Sequence, residues 1–135
     1  VLDANIIIAA LLGSRGKLTI LTSQNHEFFV PEKIVDEINK YKEKICSKIG
    51  CTSEEFQENL GALLFFVKTI DSHEYEEYFE KAIEEIKNRD SKDADYIACA
   101  LTVNADFIWT DDKDFSAQNL IKIKTTTQFI EEGKS

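Results

Sequence analysis

The chain has 135 residues, 43% of them apolar, and a formal net charge of −9. A chain of this length supports one hydrophobic core, so we expect one domain over residues 1–135. The acidic balance and the presence of only two arginines argue against a module that reads nucleic acid through a broad basic surface, because such a surface neutralises phosphates with Lys and Arg.

The residue inventory gives little support to several other classes. The three cysteines and two histidines lack the spaced partners of a zinc site, a disulfide framework or a nucleophile triad. The longest apolar stretches, 6–12 and 63–67, are far shorter than the roughly 20 residues of a membrane span, and no signal peptide opens the chain. We expect a soluble, cytoplasmic protein that has no membrane partner.

The predicted elements alternate between short strands and longer helices, which is typical of a parallel sheet covered by helices. In chain order we predict a strand ending at residue 2, helices over 5–12 and after the turn at 13–16, a strand over 27–30, helices over 31–45 and 52–64, a strand over 65–70, helices over 74–87 and 93–103, strands over 106–110 and 121–124, and a last helical turn over 126–132.

Local signals predict several of the helix starts. Pro31 suits the first position of a helix, and apolar residues at 34, 35, 38, 41 and 45 then repeat at helical spacing. Thr52 followed by Glu55 matches the capping-box pattern. Thr126 is placed to cap the last helical turn.

Two acidic residues follow predicted strands. Asp3 comes directly after the first strand, and Asp112 comes two residues after Thr110, where a later strand ends. In an open parallel sheet the carboxyl ends of the strands line the crevice in which ligands bind, so both carboxylates are expected there. Each residue taken alone is equally well explained as a turn or cap residue.

Helical geometry separates two further acids from their neighbours. Glu37 lies at the edge of the apolar face of its predicted helix, whereas Asp36 points away. Asp93 lines up with apolar residues one and two turns further on, and Asp95 falls on the opposite side. Asp93 also lies near the positive end of its helix, although a lone Asp there is more often an N-cap. We therefore expect Glu37 and Asp93 to face inward.

A group of inward carboxylates predicts a bound cation, which no single carboxylate does. Carboxylates that meet at one end of a sheet repel one another unless a cation binds between them. Hard oxygen ligands without nearby Cys or His indicate Mg²⁺ or Mn²⁺ as that cation. The bound metal would also make a site that is acidic in sequence locally cationic.

Four segments resemble, in the right order, the motifs of the PIN domain family. The family pattern is a hydrophobic strand with Asp-x-Asn/Ser, then Val-Pro-x-x-Val/Ile-x-x-Glu, then Asp-Ala at a helix start, then Thr-x-Asp after a strand. The matching segments are Val1-Leu2-Asp3-Ala4-Asn5, Val30-Pro31-Glu32-Lys33-Ile34-Val35-Asp36-Glu37, Asp93-Ala94-Asp95-Tyr96-Ile97-Ala98-Cys99-Ala100-Leu101 and Phe107-Ile108-Trp109-Thr110-Asp111-Asp112-Lys113-Asp114-Phe115. The resemblance spans almost the whole chain, and residues 46–70 contain no motif that we can map. Within the family the chain resembles the VapC-like prokaryotic ribonucleases.

This resemblance implies a fold and a mechanism. The fold is a three-layer α/β/α arrangement around a central parallel sheet of about five strands. The mechanism is hydrolysis of RNA phosphodiester bonds by an endoribonuclease in which one or two Mg²⁺ or Mn²⁺ ions activate a water molecule. The implied metal ligands are Asp3, Glu37, Asp93 and Asp112.

The resemblance also implies supporting residues and partners. Asn5 and Thr110 would orient Asp3 and metal-bound water, and Asp114 would assist the metal directly or through water. A VapC-like enzyme would be the toxin of a toxin–antitoxin pair, inhibited by a small antitoxin protein, and would form a homodimer. The shortage of arginine favours an RNA substrate recognised by shape and by a few lysines such as Lys17, Lys92 or Lys113.

Three alternative functions stay open. Haloacid-dehalogenase-type Mg²⁺-dependent phosphatases place a second Asp two residues after the first, where this chain has Asn5. Response-regulator receivers place an acidic pair after their first strand, whereas the Asp111-Asp112 pair comes late in this chain. The third alternative is a catalytically weak PIN-fold module that binds RNA or protein.

Overall fold

The computed structural model of the chain describes residues 1–86, 92–113, 115 and 118–133. Its elements are α1 (Ala4–Leu11), α2 (Arg15–Thr22), β1 (Phe28–Pro31), α3 (Ile34–Asn39), α4 (Lys42–Ile49), α5 (Ser53–Leu64), β2 (Val67–Ile70), α6 (Ser72–Glu85), α7 (Lys92–Thr102), β3 (Ile108–Trp109), β4 (Ile123–Lys124) and α8 (Thr126–Gly133). Parallel strands and helices alternate, so the α/β class predicted from the sequence is confirmed.

The strands form two parallel pairs that the segment around Leu2 joins. β1 pairs with β2, and β3 pairs with β4. The amide of Leu2 donates to the carbonyl oxygen of Phe29 at 3.3 Å, and Leu2 forms a parallel bridge with Trp109. The spatial order is therefore β2, β1, Leu2, β3, β4. The predicted first strand is reduced to a single bridge, and a sheet of five full strands is not confirmed.

This order contains a reversal of direction that decides where a ligand binds. From Leu2 the chain first adds β1 and β2 on one side, and later adds β3 and β4 on the other side. In open α/β sheets such a reversal opens a crevice at the carboxyl ends of the two strands on either side of it. Here those ends are Asp3 and Thr110.

The predicted helix over 31–45 is wrong in two respects. Pro31 is the last residue of β1, opposite Ile70 of β2, and the helical residues divide into α3 and α4. The break falls at Tyr41, whose amide bonds to the carbonyl oxygen of Ile38, three residues earlier, at 3.0 Å. The apolar side chains Ile38 and Ile45 are both buried, seven residues apart, and this spacing suits either one straight helix or two short ones.

The helix starts show which local signals were sufficient. Thr52 and Glu55 form the predicted capping box, with reciprocal hydrogen bonds of 3.0 and 3.1 Å. The last helix is capped one residue earlier than predicted, because the Thr125 hydroxyl accepts from the Gln128 amide at 3.3 Å. Thr126 instead contacts Asp111.

Helix α7 lies at the centre of the molecule. Its residues Ala94 to Ala100 are all buried, and it packs against α6 and against the strands β1 and β3. The small side chains of Ala94, Ala98 and Ala100 allow this close approach. Because neighbours cover α7 on several sides, burial along this helix does not follow a single face.

Among the described residues, no single helix is long and apolar enough to cross a membrane. The consecutive helices α1 and α2 are together long and apolar enough, but they are bent by 115° relative to each other.

Candidate functional site

Asp3 lies at the reversal of strand order, and its two carboxylate oxygens have different hydrogen-bond partners. It is only 4% exposed, and its Oδ1 caps α1 by accepting the Ile6 amide at 3.2 Å. Its Oδ2 accepts a hydrogen bond from the hydroxyl of Thr110. The N-cap hydrogen bond accounts for only one of the two carboxylate oxygens, so a capping role does not fully explain Asp3.

The electrostatic environment of Asp3 is unfavourable to its charge. Burial raises the pKa of this carboxyl to about 6, against the lowering effect of hydrogen bonds from Thr110, Ile6 and the backbone of Asn5. The negative charge of Asp112 raises the pKa further. Two of the four predicted ligands therefore lie close enough to repel each other.

Thr110 connects these two acids. It is fully buried at the end of β3, and its amide donates to the carbonyl oxygen of Lys124 at 3.1 Å. Its hydroxyl donates to Asp3 and accepts the amide of Asp112 at 3.0 Å. The hydroxyl thereby holds the half-buried Asp112 in a defined position relative to Asp3.

Glu37 approaches the same region through a tyrosine. Glu37 is half-buried on α3, and its Oε2 accepts a hydrogen bond from the hydroxyl of Tyr96, which is 3% exposed on α7. Burial raises the pKa of the Tyr96 phenol above its usual range, and the charges of Glu37 and Asp3 raise it further. Tyr96 therefore lies within electrostatic range of two candidate ligands.

The remaining predicted residues are less closely defined. Asp93 is half-buried in the first turn of α7, and Asp114 lies outside the described residues. The Asn5 side chain is exposed, and the contact that reaches Asp3 is made by the Asn5 backbone. Within the described ranges, no three Asp, Glu, His or Cys side chains converge closely enough to form a ready-made metal site.

A cleft of about 340 Å³ opens beside Glu37 and Tyr96. Lys33 and Lys40 lie along it, together with Phe79 of α6. Asp36 is exposed, as expected, but it lines this cleft together with Glu37, so the two residues are less separated than helical geometry predicted.

Asp95 was predicted to lie on the side of α7 opposite Asp93, and that side is not exposed to solvent. Asp95 is 7% exposed, accepts a hydrogen bond of 2.7 Å from the Tyr75 hydroxyl, and lies 3.7 Å from the Nζ of Lys33. The helical-face test placed it opposite Asp93, but that side of α7 is covered by α6. A buried carboxylate with a phenol and an ammonium group beside it has an adequate structural explanation.

Asp111 also has a structural explanation. Its carboxylate accepts hydrogen bonds from the amide and hydroxyl of Thr126, at 2.8 and 2.7 Å, and lies 3.3 Å from the Nζ of Lys17. Partial burial raises the pKa of Asp111, but the contacts with Thr126 and Lys17 outweigh it and lower the pKa overall. Asp111 therefore connects β3 to α8 and α2, while Asp112 faces Asp3.

Tyr96 is the residue near the site that sequence reasoning missed. A signal was present, because Tyr96 is a large side chain with a polar tip and is followed only by small and apolar residues at 97–101. A buried tyrosine hydroxyl usually finds a hydrogen-bond partner, so such a residue predicts a nearby acceptor. The sequence alone does not say which acceptor it is.

Fold and site together define an α/β protein with an acidic crevice at the point where its strand order reverses. The PIN domain family model matches residues 1–132, and the chain therefore belongs to the PIN domain family. The resemblance inferred from the four segments is thus confirmed.

A solved structure shares this fold. The chain is similar to the crystal structure of VapBC2 from Rickettsia felis bound to a DNA fragment from their promoter, with a TM-score of 0.72 and 18% identity, covering 92% of this chain and 96% of that chain. At this identity the similarity shows the fold alone. A search of curated proteins finds no significant match.

Proposed function

We propose that the protein is a divalent-metal-dependent endoribonuclease. The observation that carries the proposal is the pair Asp3 and Asp112, which the Thr110 hydroxyl holds together at the reversal of strand order. A buried carboxylate whose pKa is raised beside a second carboxylate is unfavourable unless a cation binds there. Membership of the PIN domain family supports a nuclease as the protein that uses such a site.

The donor set fits Mg²⁺ or Mn²⁺. Asp3, Glu37, Asp93 and Asp112 offer hard carboxylate oxygens, which these ions prefer to sulfur or imidazole ligands. When bound, the metal supplies positive charge for phosphodiester hydrolysis and lowers the pKa of a water molecule. The same proposal includes one or two bound ions and a contribution from Asp114, which would assist the metal directly or through water.

The chain's own residues prepare the site for this chemistry. Thr110 orients Asp3 through Oδ2, while the N-cap bond from Ile6 holds Oδ1. The buried position of Asp3 excludes bulk water, which strengthens its attraction to any cation that enters. Catalysis would then depend on positioning by groups that are already held in place.

RNA would approach along the cleft beside Glu37. Lys40 lies there, as does Lys33, whose side chain is 65% exposed although its Nζ lies 3.7 Å from Asp95. Both can contact phosphates locally, which suits a chain with a net charge of −9. Lys17, one of the lysines considered for RNA contact, is 21% exposed and paired with Asp111, so it is a weaker candidate.

A cleavage assay tests the proposal. Parent protein, Asp3→Asn and Asp93→Asn are incubated with RNA hairpins and unstructured RNA in Mg²⁺, Mn²⁺ or EDTA. We expect metal-dependent cleavage by the parent and its loss in both variants. Asp111→Asn is the matched control, because the Asp111 carboxylate contacts Thr126 and Lys17, and it should cut within about threefold of the parent. Cleavage that persists in EDTA and in both variants would contradict the proposal, and RNA binding without cleavage by the parent would favour the weak-module alternative.

We further propose that an antitoxin protein inhibits the enzyme. The VapC-like motifs and the fold shared with VapBC2 support this proposal, and an arginine inserted among the carboxylates would provide the complementary charge. Toxicity on expression alone, relieved by coexpression of a short neighbouring reading frame, is the expected result. Harmless overexpression of active enzyme in its host would contradict it. Light scattering tests the homodimer that the family resemblance implies.

A further inference from the structure

We infer that Tyr96 is a positioning residue for the divalent-cation site. Its hydroxyl holds Glu37, and its ring supports the segment that bears Asp112. The inference rests on the proposed function and adds a residue to it. Tyr96 would not touch the metal or the RNA itself. It would act by fixing the direction of carboxylates that do.

The first observation is the hydrogen bond between Tyr96 and Glu37. The phenol donates to Oε2 of Glu37 from a ring that is 3% exposed, so the donor comes from a rigid part of the core. An ionised carboxylate has about four lone-pair positions on two oxygens, so it can accept this bond and still bind a cation. The bond removes rotational freedom from a half-buried side chain on the short helix α3.

The second observation connects the same tyrosine to the loop after β3. The ring of Tyr96 packs edge-on against Phe115, with 6.2 Å between ring centroids. The amide of Phe115 donates to the carbonyl oxygen of Asp112 at 3.3 Å. Tyr96 therefore supports Glu37 through its hydroxyl and the Asp112 segment through its ring.

A second tyrosine–carboxylate pair provides an internal comparison. The Tyr75 hydroxyl donates to Asp95, which is buried and also lies beside Lys33. Both pairs involve α7, yet only the phenol of Tyr96 is within electrostatic range of Asp3. The loss of either hydroxyl removes one buried hydrogen bond, but only one of the two losses should affect metal binding.

The test measures Mn²⁺ binding by calorimetry without RNA. Tyr96→Phe keeps the ring that packs on Phe115, and we expect its affinity for Mn²⁺ to fall by about 10-fold. Tyr75→Phe should bind like the parent. If Tyr96 acts through Glu37, then Glu37→Gln and the Glu37→Gln/Tyr96→Phe double variant should bind equally weakly. Additive losses in the double variant, or equal losses in both tyrosine variants, would overturn the inference.

RNA cleavage at saturating Mn²⁺ gives a second readout. Misdirected ligands should lower kcat, whereas KM for RNA should change little, because Tyr96 is not proposed to contact RNA. An increase in KM with an unchanged kcat would overturn the positioning role.

A measurement on the unaltered protein keeps the inference testable if Tyr96→Phe does not fold. The chain has four tyrosines, so their ring signals can be followed by NMR with selective labelling during a Mg²⁺ titration. We expect the Tyr96 signal to shift saturably and the Tyr75 signal to stay in place. A parent that binds metal without moving Tyr96 refutes this inference alone, whereas a parent that binds neither Mg²⁺ nor Mn²⁺ refutes the proposed function with it.

Discussion

Asp3 and Asp111 follow neighbouring parallel segments at the same end of the molecule, but their surroundings have opposite effects on their charge. Asp3 is buried beside Asp112, and its pKa is raised to about 6. Asp111 has a side chain that is 41% exposed, lies 3.3 Å from Lys17 and has a lowered pKa. The fold stabilises the charge of Asp111 with its own groups, whereas the hydrogen bonds that Asp3 accepts do not offset the effect of its burial.

This difference separates an acid with a structural role, Asp111, from a candidate functional acid, Asp3, more clearly than position in the sequence does. Perturbed carboxylates gather at functional sites because tight ligand binding requires groups that the fold itself does not neutralise. The adjacent residues Asp111 and Asp112 make the same point, since the first connects secondary-structure elements and the second faces Asp3.

The largest expected effect is on catalysis. Asp3→Asn removes the charge of a proposed metal ligand and should lower RNA cleavage on the order of 1,000-fold, because such a loss removes several kcal/mol of transition-state stabilisation. Asp111→Asn should cleave within about threefold of the parent, since its contacts are structural. Single-turnover assays in Mn²⁺ measure both rates. Similar rates for the two variants would abolish the proposed distinction.

The next effect is on stability in the absence of metal. A raised folded-state pKa means that the stability present at low pH is lost as pH rises from about 4 through about 6. A shift from 3.8 to about 6 corresponds to up to about 3 kcal/mol in the free energy of unfolding. Urea denaturation in EDTA at pH 4 to 8 should show this loss in the parent and a flatter profile in Asp3→Asn. Parallel profiles would show that Asp3 ionises without penalty.

A smaller effect is expected at the link between the two acids. Thr110→Val keeps the shape of the side chain but removes the hydroxyl that donates to Asp3 and accepts from Asp112. We expect about a 10-fold lower affinity for Mn²⁺, measured by calorimetry. Thr126→Val is the control, because the hydroxyl of Thr126 donates to Asp111 and accepts from the indole of Trp109. If only Thr126→Val weakened Mn²⁺ binding, Asp111 and not Asp3 would be the acid that binds the metal.

The smallest effect is on the structural acid itself. Asp111→Asn should lower the free energy of unfolding at neutral pH by about 1 kcal/mol, because a partly exposed ion pair is screened by solvent. The lowered pKa means that this contribution is present at neutral pH and is lost as the pH falls. Lys17→Met should have a similar effect, and the two changes together should cost less than their sum. Full additivity would show that the two charges do not interact.

The helices show where sequence patterns stop being sufficient. The capping box at Thr52 was predictable because its hydrogen bonds join residues three apart. The break at Tyr41 was not, because the buried residues Ile38 and Ile45 fit one helix as well as two. Likewise, the face of Asp95 was assigned correctly relative to Asp93, but its burial depends on α6, which the periodicity of α7 does not report.

The amino-acid sequence by itself determined the α/β class and the family and supplied the candidate carboxylates, since these depend on periodicity and on short motifs within one segment. Tertiary structure decided which acids the fold neutralises. Asp111 meets Lys17 and Thr126, and Asp95 meets Tyr75 and Lys33, only when distant segments come together. The charge of a carboxylate depends on its burial and on neighbours from other elements, so Asp3 could be recognised as a candidate from its motif, but its unneutralised state could be recognised only from the fold.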